Sequence, residues 1–175
     1  EVVIIISLDQ ILKARELRAA RKDEYINTYG CPLVVLTLNI PGPVKRTPLY
    51  DEIHKEGIKC LFEAIGSGNI VFAKVIYNDT GAEGYICADI DAVELKKIAV
   101  KIEAVHPLGR IFDIDVYDRD HSCVSREMLE LSERKCFLCE KPAKECARSR
   151  RHSLEEIIEY INATAESYFN LKKAE

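Results

Sequence analysis

Two aspartates separated by one residue are the part of the sequence best suited to chemistry. Asp113 and Asp115 lie in the segment FDIDV, residues 112–116, where they alternate with apolar residues. This period of two predicts a β-strand with one apolar face and one polar face. Both carboxylates then project from the same face, about 6.6 Å apart along the strand. Carboxylates so placed can hold one hard cation or a pair of Mg²⁺ ions, an arrangement used in phosphoryl transfer.

The same alternation also fits a solvated sheet edge that performs no chemistry, since aspartate packs poorly on the pleated surface of a strand. The preceding residues favour the chemical interpretation. Gly109 allows the backbone to approach a ligand closely, and Arg110 offers a guanidinium fork for phosphate beside the carboxylates. We therefore expect Asp113, Asp115 and Arg110 to be catalytic, with an anionic substrate bridging the metal ion and the arginine.

A second group of residues has the composition of a metal site. The spacing Cys-x2-Cys-x6-Cys-x5-His comprises Cys136, Cys139, Cys146 and His152. Three thiolates and one imidazole form a closed tetrahedral set, as in structural Zn²⁺ sites. Reduced cysteines without a ligand are the alternative, and a redox Cys-x2-Cys is less favoured because no strand precedes it directly. The sequence thus predicts a zinc knuckle over residues 134–153, inserted before the last helix.

Basic residues gather in three places that could face polyanions. A rigid loop, Pro41-Gly-Pro43, precedes Lys45, and it suits a phosphate clamp as well as a simple turn into a helix. The knuckle carries a cationic cluster: Lys144, Arg148, Arg150 and Arg151. The first helix has a basic surface, which is usually just a solvated face: Lys13, Arg15, Arg18, Arg21 and Lys22.

Composition bounds the class of protein. The chain has 175 residues, 47% hydrophobic and 31% charged, which predicts one globular domain over residues 1–175. A net charge of −4 argues against non-specific nucleic-acid binding by the whole surface. Seven cysteines without a recognisable leader predict a reducing compartment, with the cytoplasm as the default. The apolar residues 2–6 are too short to span a bilayer and are compatible with an extra edge strand.

The remaining elements follow from periodicity and capping signals. A helix is predicted over about residues 8–28, and residues 33–117 then give strand, helix, strand, strand, helix, strand. This is the βαββαβ order of a ferredoxin-like α+β fold. Nucleotidyltransferase-like mixed sheets with flanking helices also carry an aspartate pair on a strand, so both architectures stay open. A closing helix is expected after Ser153.

Three stretches together resemble one family. They are LTLNIPGPVK at 36–45, HPLGRIFDIDV at 106–116, and RKC followed by CARSRRHSLEE within 134–156. On these motifs the chain resembles the citrate lyase holo-acyl-carrier-protein synthases, also called apo-citrate lyase phosphoribosyl-dephospho-CoA transferases. The likeness runs from about residue 8 to residue 165. One departure lies after Asp118, where a glycine is expected and the chain has RDHSC, residues 119–123.

The resemblance implies a nucleotidyltransferase. Its substrate would be 2′-(5″-triphosphoribosyl)-3′-dephospho-CoA, its acceptor a serine of the citrate lyase acyl carrier (gamma) subunit, and its second product pyrophosphate. At the matching positions Asp113 and Asp115 would hold Mg²⁺, while Arg110, Lys45 and Arg126 would contact phosphates. Three arginines of the knuckle would bind substrate or dock an acidic carrier surface: Arg148, Arg150 and Arg151.

Two other functions stay open at this stage. A zinc-stabilised binding module for RNA or a phosphoprotein would bind without Mg²⁺ and release no pyrophosphate. The acidic net charge and the lack of aromatic residues within the basic cluster argue against nucleic acid as its partner. A related transferase for the carrier protein of malonate decarboxylase would perform the same chemistry on a different acceptor.

Overall fold

A four-stranded sheet and five helices make up the part of the chain that the computed structural model describes, residues 4–174. Their bounds, in chain order, are α1 Leu8–Tyr29, β1 Leu33–Leu38, α2 Pro48–Ile65, β2 Ile70–Asn78, β3 Gly81–Ala88, α3 Ala92–Val105, β4 Phe112–Tyr117, α4 Ala143–Ser149 and α5 Leu154–Ala174. The predicted positions of the strands and of the long helices are confirmed. The short helix α4, inside the knuckle, was not predicted.

The strands are arranged in the order β2-β3-β1-β4, and every neighbouring pair is antiparallel. The α+β prediction is confirmed, and the element order is that of the ferredoxin-like alternative. A mixed sheet would need a parallel pair, and none occurs among the strands of residues 4–174. β4, which carries the two aspartates, is an edge strand, so one side of its backbone has no neighbouring strand.

Helices cover both faces of the sheet but pack on them differently. The helices α2, α3 and α5 bury the main core on one face, with Phe112, Ile114 and Val116 of β4 in its centre. On the other face α1 packs through its last third, where Tyr25 and Ile26 are buried. The first half of α1 is mostly exposed, so a polar space opens between it and β4.

The capping signals explain why the helices begin where they do. Ser7 and Gln10 form a reciprocal capping box at the start of α1, and Thr47 caps α2, which has a proline at its first position. Asp91 accepts hydrogen bonds from two backbone N–H groups at the start of α3. Asp91 is therefore the N-cap of this helix.

Gly57 lies in the middle of α2, where a glycine could bend the helix. The helix is continuous, and the glycine is needed for close packing instead. A Cβ atom at this position would lie 2.9 Å from Leu36 Cδ2 and 3.0 Å from Phe112 Cε1. Because those contacts are too short, α2 can approach β1 and β4 only with glycine here.

Side chains bond the open backbone edge of β4. Glu103 of α3 accepts a hydrogen bond from the Ile114 N–H at 3.1 Å, and Lys96 donates to the Ile114 carbonyl at 3.0 Å. Arg134 donates to the Phe112 carbonyl. These bonds take the place of a further strand and block pairing with another chain. They also hold rigid the strand from which both aspartates project.

The loop after β4 departs from the glycine expected near Asp118. His121 occupies the left-handed region there with φ 69°, a conformation that glycine adopts more readily. Its ring contacts α1, with Nδ1 2.7 Å from an Asp23 carboxylate oxygen and Nε2 3.2 Å from the Asn27 amide oxygen. The histidine therefore ties this loop to α1.

The N-terminal apolar segment forms no strand where it is described. Residues 4–6 lie outside the sheet, and residues 2 and 3 of the suggested edge strand lie outside the described part of the chain. Ile6 is buried, and its N–H donates to the Pro43 carbonyl at 3.0 Å. Within residues 4–174, no helix has both the length and the apolar composition needed to cross a bilayer.

Candidate functional site

The two aspartates project from the same face of β4, the face that α1 overlies. Asp113 lies opposite Thr37 and Asp115 opposite Val35 of β1. The Asp113 side chain is 45% exposed, whereas burial and the neighbouring Asp113 carboxylate raise the pKa of Asp115. Two carboxylates that repel each other on a half-buried face provide a site for a cation.

The start of α1 and the end of β1 enclose a cavity of about 200 Å³ beside Asp113. We call this space the α1 cavity, and its lining includes Arg15, Arg18, Thr37, Lys45 and Asp113. Across it, basic side chains of the helix face Asp113 of the sheet. The basic surface of α1, for which the sequence favoured a solvated face, therefore lies beside the aspartates, and neighbouring Lys22 lines an adjoining cavity with Asp113 and Asp115.

The arginines of α1 differ in whether an acid already neutralises them. Glu83 of β3 is 1% exposed and accepts from Arg21 at 2.8 Å and from Arg18 at 3.4 Å. Tyr85 also donates to this carboxylate, at 2.5 Å. Arg15, by contrast, makes no ion pair within residues 4–174. It is thus a cation without a counter-charge at the mouth of the α1 cavity.

Lys45 lies on the opposite wall of the α1 cavity. Its Nζ donates to the Ile40 carbonyl, and it pairs with no acid in the described chain. Burial, and secondly the positive charge of Arg15, lower the pKa of Lys45. Because Arg15 and Lys45 pair with no acid in residues 4–174, their charges favour an anion in this space, although Asp51 and Asp113 also line it. This is the position that a phosphate clamp requires, and the clamp itself stays a prediction.

Arg134 is a site residue that the sequence interpretation missed. Its Nη1 lies 2.9 Å from Asp113 Oδ1, and its Nη2 lies 3.8 Å from Glu103 Oε1 and donates to the Phe112 carbonyl. It therefore fixes the Asp113 carboxylate from the side away from α1. Its position at the start of the third family-like motif was the one available sequence signal, but the spacing of 21 residues gives no hint of contact.

Arg110 lies elsewhere than its predicted position beside the carboxylates. It donates to the Lys135 carbonyl, and its guanidinium lies 5.0 Å from the centre of the Phe137 ring. It thus contacts the knuckle, and its phosphate contact stays a prediction. Gly109 is explained by packing, because a Cβ there would lie 2.5 Å from the Glu103 carbonyl oxygen. The loop bends away from the aspartates where it passes under the end of α3.

A second, larger space of about 690 Å³ lies at the outer edge of β4. We call it the edge cavity, and its lining includes Lys96, Glu103, Asp113, Asp115, Arg126, Arg134 and Lys144. Arg126, predicted to contact phosphate, forms an ion pair with buried Glu103 there. Both aspartates can therefore be approached from α1 and from the edge.

The knuckle brings its four predicted ligands together. The ligand atoms of Cys136, Cys139, Cys146 and His152 all lie within 4.8 Å of one another. Cys139 Sγ lies 3.4 Å from Cys146 Sγ and 3.4 Å from His152 Nε2. A tetrahedral zinc site with Zn–S near 2.3 Å places ligand atoms about 3.5–3.8 Å apart. The cluster therefore fits such an ion in residue type and in spacing.

The three arginines of the basic cluster lie on the outer surface of the knuckle. Arg148 is in the last turn of α4, while Arg150 and Arg151 follow the helix, and all three are exposed. They line neither the α1 cavity nor the edge cavity. A direct role on the substrate phosphates is not favoured by this position, but docking of an acidic protein surface is compatible with it.

His106 is the histidine of the second family-like motif and a candidate proton acceptor. It lies on the face of the sheet opposite the aspartates. Its ring packs 5.3 Å from that of Phe112 and 5.2 Å from that of Tyr168. Nδ1 accepts from the Leu108 N–H at 3.0 Å, which caps the turn after α3. These contacts favour the structural role for this histidine.

Comparison with known proteins agrees with the sequence motifs. Residues 6–168 match the family model described as apo-citrate lyase phosphoribosyl-dephospho-CoA transferase. A protein of Vibrio cholerae serotype O1 (strain M66-2) is 36% identical over 166 residues, covering 93% of each chain. A protein of Streptococcus pyogenes serotype M3 is 36% identical over 170 residues, covering 94% of this chain and 88% of its own. Both carry the name "Probable apo-citrate lyase phosphoribosyl-dephospho-CoA transferase".

Proposed function

The chain belongs to the apo-citrate lyase phosphoribosyl-dephospho-CoA transferase family, and from this premise we propose that it attaches the phosphoribosyl-dephospho-CoA group to a serine of the citrate lyase acyl carrier (gamma) subunit. The donor would be triphosphoribosyl-dephospho-CoA. Family membership favours this transferase over the RNA- or phosphoprotein-binding module. One observation carries the proposal: Asp113 faces the unpaired Arg15 and Lys45 across the α1 cavity, and Asp115, on the same face of β4, shares the adjoining cavity with Arg15.

The proposed reaction exchanges one phosphorus–oxygen bond for another. The serine hydroxyl oxygen attacks the α-phosphorus of the donor, and the bond from this phosphorus to the α–β bridging oxygen breaks. Pyrophosphate leaves with that bonding pair, and the hydroxyl proton passes to solvent or to a basic group. Negative charge builds up on the transferred and leaving phosphates, so fixed positive charge is the main requirement for catalysis.

Asp113 and Asp115 would hold Mg²⁺. The donor set fits this ion, since hard oxygen ligands suit it and the two carboxylates repel each other even though Arg134 pairs with Asp113. When bound, Mg²⁺ would supply positive charge to the phosphate oxygens. Arg134 orients Asp113 by its hydrogen bond, and the bonds of Lys96 and Glu103 to Ile114 keep the strand in place.

The triphosphate is expected to enter the α1 cavity. Arg15 and Lys45 face it as unpaired cations, and Arg18 is close beside them but shared with Glu83. Arginine and lysine there would bind phosphate oxygens through charge-assisted hydrogen bonds. Arg110 and Arg126 would contact phosphate only after leaving their present partners. These partners are the Lys135 carbonyl for Arg110 and the Glu103 carboxylate for Arg126.

Two further parts of the proposal concern the ligands of the knuckle and the cellular compartment of the protein. We place Zn²⁺ at the cluster of three cysteines and one histidine, and we place the acidic carrier against the exposed arginines of the knuckle. All seven cysteines are unpaired, which accords with a reducing compartment such as the cytoplasm. The knuckle would form part of a single transferase domain.

Mass spectrometry of the acceptor tests the proposed function. Purified apo-acyl carrier subunit of citrate lyase is incubated with the protein, triphosphoribosyl-dephospho-CoA and Mg²⁺. The expected result is a gain in carrier mass equal to the phosphoribosyl-dephospho-CoA group, with one pyrophosphate per carrier. A carrier with its acceptor serine changed to alanine should stay unmodified. Modification of the malonate decarboxylase carrier instead would assign the related transferase, and no modification of either would refute the proposal.

A further inference from the structure

Arg134 joins two residue clusters that could hold metal ions, the cysteine and histidine residues of the knuckle and the aspartate pair of β4. It lies two residues before Cys136 in the knuckle, and its guanidinium contacts Asp113 at 2.9 Å on β4. The backbone around it is part of the knuckle, since the Arg134 carbonyl accepts from the Ala143 N–H at 2.8 Å. The position of the guanidinium therefore depends on whether the knuckle is ordered.

The knuckle has little apolar packing of its own to keep it ordered. Within residues 134–153, all of which the structure describes, Cys146 alone is buried. Its internal backbone bonds are few, such as Cys136 N–H to the Lys141 carbonyl at 2.8 Å. Segments of this size that lack an apolar core usually depend on a metal ion or another cross-link.

From these contacts we infer that zinc bound by Cys136, Cys139, Cys146 and His152 fixes the knuckle and thereby holds Arg134 against Asp113. Arg134 is then a positioning residue, which orients one of the two carboxylates proposed to bind Mg²⁺. The inference takes the role of Asp113 from the proposed function. The zinc site in the knuckle does not depend on that function. Partners that orient a ligating carboxylate commonly change metal affinity by about 10- to 100-fold.

The geometry of Arg134 explains why an arginine is needed. Its guanidinium donates to the Asp113 carboxylate and to the Phe112 carbonyl at the same time, from two different nitrogens. A lysine keeps the charge but presents a single ammonium group and cannot reproduce this fork. Arg134→Lys therefore removes the orientation of Asp113 while leaving the local charge unchanged.

Zinc binding is tested first on the unaltered protein, without any substrate. Metal analysis should find one zinc per chain, and Co²⁺ put in its place should give the visible absorption of tetrahedral thiolate ligation. Cys139→Ser should lose the metal, whereas Cys123→Ser, an exposed cysteine outside the knuckle, should keep it. Absence of zinc from the native protein, or a stable Cys139–Cys146 disulfide in its place, would overturn the inference.

The coupling is tested with Mn²⁺ as a spectroscopic stand-in for Mg²⁺. Its binding is followed by the electron paramagnetic resonance signal of free Mn²⁺, in the presence of inorganic tripolyphosphate. Arg134→Lys and the zinc-free protein should each bind Mn²⁺ about 10- to 100-fold more weakly, and the two changes together should cost no more than one alone. Arg119→Lys is the matched control, since Arg119 also bonds a carbonyl, of Gly30, and a carboxylate, of Asp89.

The folding of each protein is checked separately, so that weak Mn²⁺ binding by an unfolded protein is not attributed to the coupling. Hydrogen exchange should show loss of protection on zinc removal in residues 134–153, with the strands β1 and β3 unchanged. Unaltered Mn²⁺ binding in the zinc-free protein, or losses that multiply in the combined form, would overturn the coupling. Neither experiment uses the carrier or the nucleotide, so failure of the proposed transferase reaction would leave both results interpretable.

Discussion

At the scale of single residues, the site is defined by which charges are already neutralised. Arg18 and Arg21 share the buried Glu83, and Arg134 pairs with Asp113. Arg15 and Lys45 have no acidic partner in the described chain, so their charge is available to a ligand. The cations without partners mark the proposed phosphate-binding wall more clearly than the number of basic residues does.

The role of Arg15 gives a prediction at this scale. Arg15→Gln should raise the KM for the triphosphate donor about tenfold, because one charge-assisted hydrogen bond to phosphate is lost at an exposed position. The KM for the carrier should change little. Steady-state kinetics on Lys13→Gln, an exposed residue of the same helix that does not line the α1 cavity, provide the control. Equal effects of the two substitutions would mean that only general charge matters.

Site residues could be predicted from the sequence where their spacing determines which way their side chains point. The period of two along β4 placed Asp113 and Asp115 on one face, and the Cys and His spacing indicated one cluster. The contact of Arg134 with Asp113 depends on the path of a loop, and a loop path has no periodic signal. The contacts of Arg110 with the Lys135 carbonyl and the Phe137 ring could not be predicted for the same reason.

At the scale of elements, the position of α1 decides whether the aspartates face solvent or an enclosed site. Its last third packs on β1 and β3, and its first half lies over the polar end of the sheet. The sequence showed a helix whose charge changes along its length, but it could not show which sheet face the helix covers. That information comes from packing, in which the buried Glu83 of β3 pairs with Arg18 and Arg21 of α1.

Glu83 supplies a prediction for the attachment of α1. Glu83→Gln should reduce the free energy of unfolding by about 2 kcal/mol, less than for a fully buried pair because the two arginines reach solvent. Chemical denaturation measures this, with Glu52→Gln as a control in an exposed pair, expected to cost less than about 0.5 kcal/mol. A loss at Glu83 no larger than at Glu52 would show that this pair does not anchor α1.

His54 links α2 to β1 and predicts a pH dependence. Its Nε2 lies 3.1 Å from the Leu36 carbonyl, and burial lowers the pKa of His54 although that carbonyl acts the other way. The unfolded chain keeps a pKa near 6.5, so below about pH 6.5 it binds a proton that the folded protein does not. Stability should therefore decrease from about pH 6.5 towards pH 5.5.

Denaturation at several pH values tests this linkage. His54→Gln, which keeps a donor for the Leu36 carbonyl but does not titrate, should show a smaller decrease in stability over the same range. The carboxylates of the protein contribute equally to both curves. Identical slopes for the two proteins would contradict a neutral, buried His54.

At the scale of the whole molecule, a chain with net charge −4 has cations without an acidic partner in two regions that bear on the proposed function. One is the α1 cavity and the other is the outer surface of the knuckle. The strand pairing decided between the ferredoxin-like topology and a mixed sheet. The order of elements could be predicted from periodicity and caps, because each strand and helix has a clear local signal. The relation between the knuckle and β4 could not, since a few long-range contacts determine it.

The knuckle surface predicts how the carrier is recognised. Changing Arg148, Arg150 and Arg151 together to glutamine should raise the KM for the carrier about tenfold and reduce its dependence on salt, because steering by opposite charge is lost. The KM for the nucleotide donor should stay the same. Kinetics at two ionic strengths measure both, with Lys101→Gln, an exposed residue of α3, as control. A changed donor KM would place these arginines on the substrate instead.

The central claim is that the carboxylate pair on β4 serves the transfer reaction. The most direct measurement is carrier modification and pyrophosphate release by Asp113→Asn and Asp115→Asn, each shown to be folded by thermal unfolding. Asp120→Asn, an exposed aspartate in the loop after β4, is the control. The account predicts a loss of about 10²–10³-fold or more for each pair member, as when a group that stabilises transition-state charge is removed, and no loss for the control. Folded pair variants with activity close to that of the native protein would contradict it.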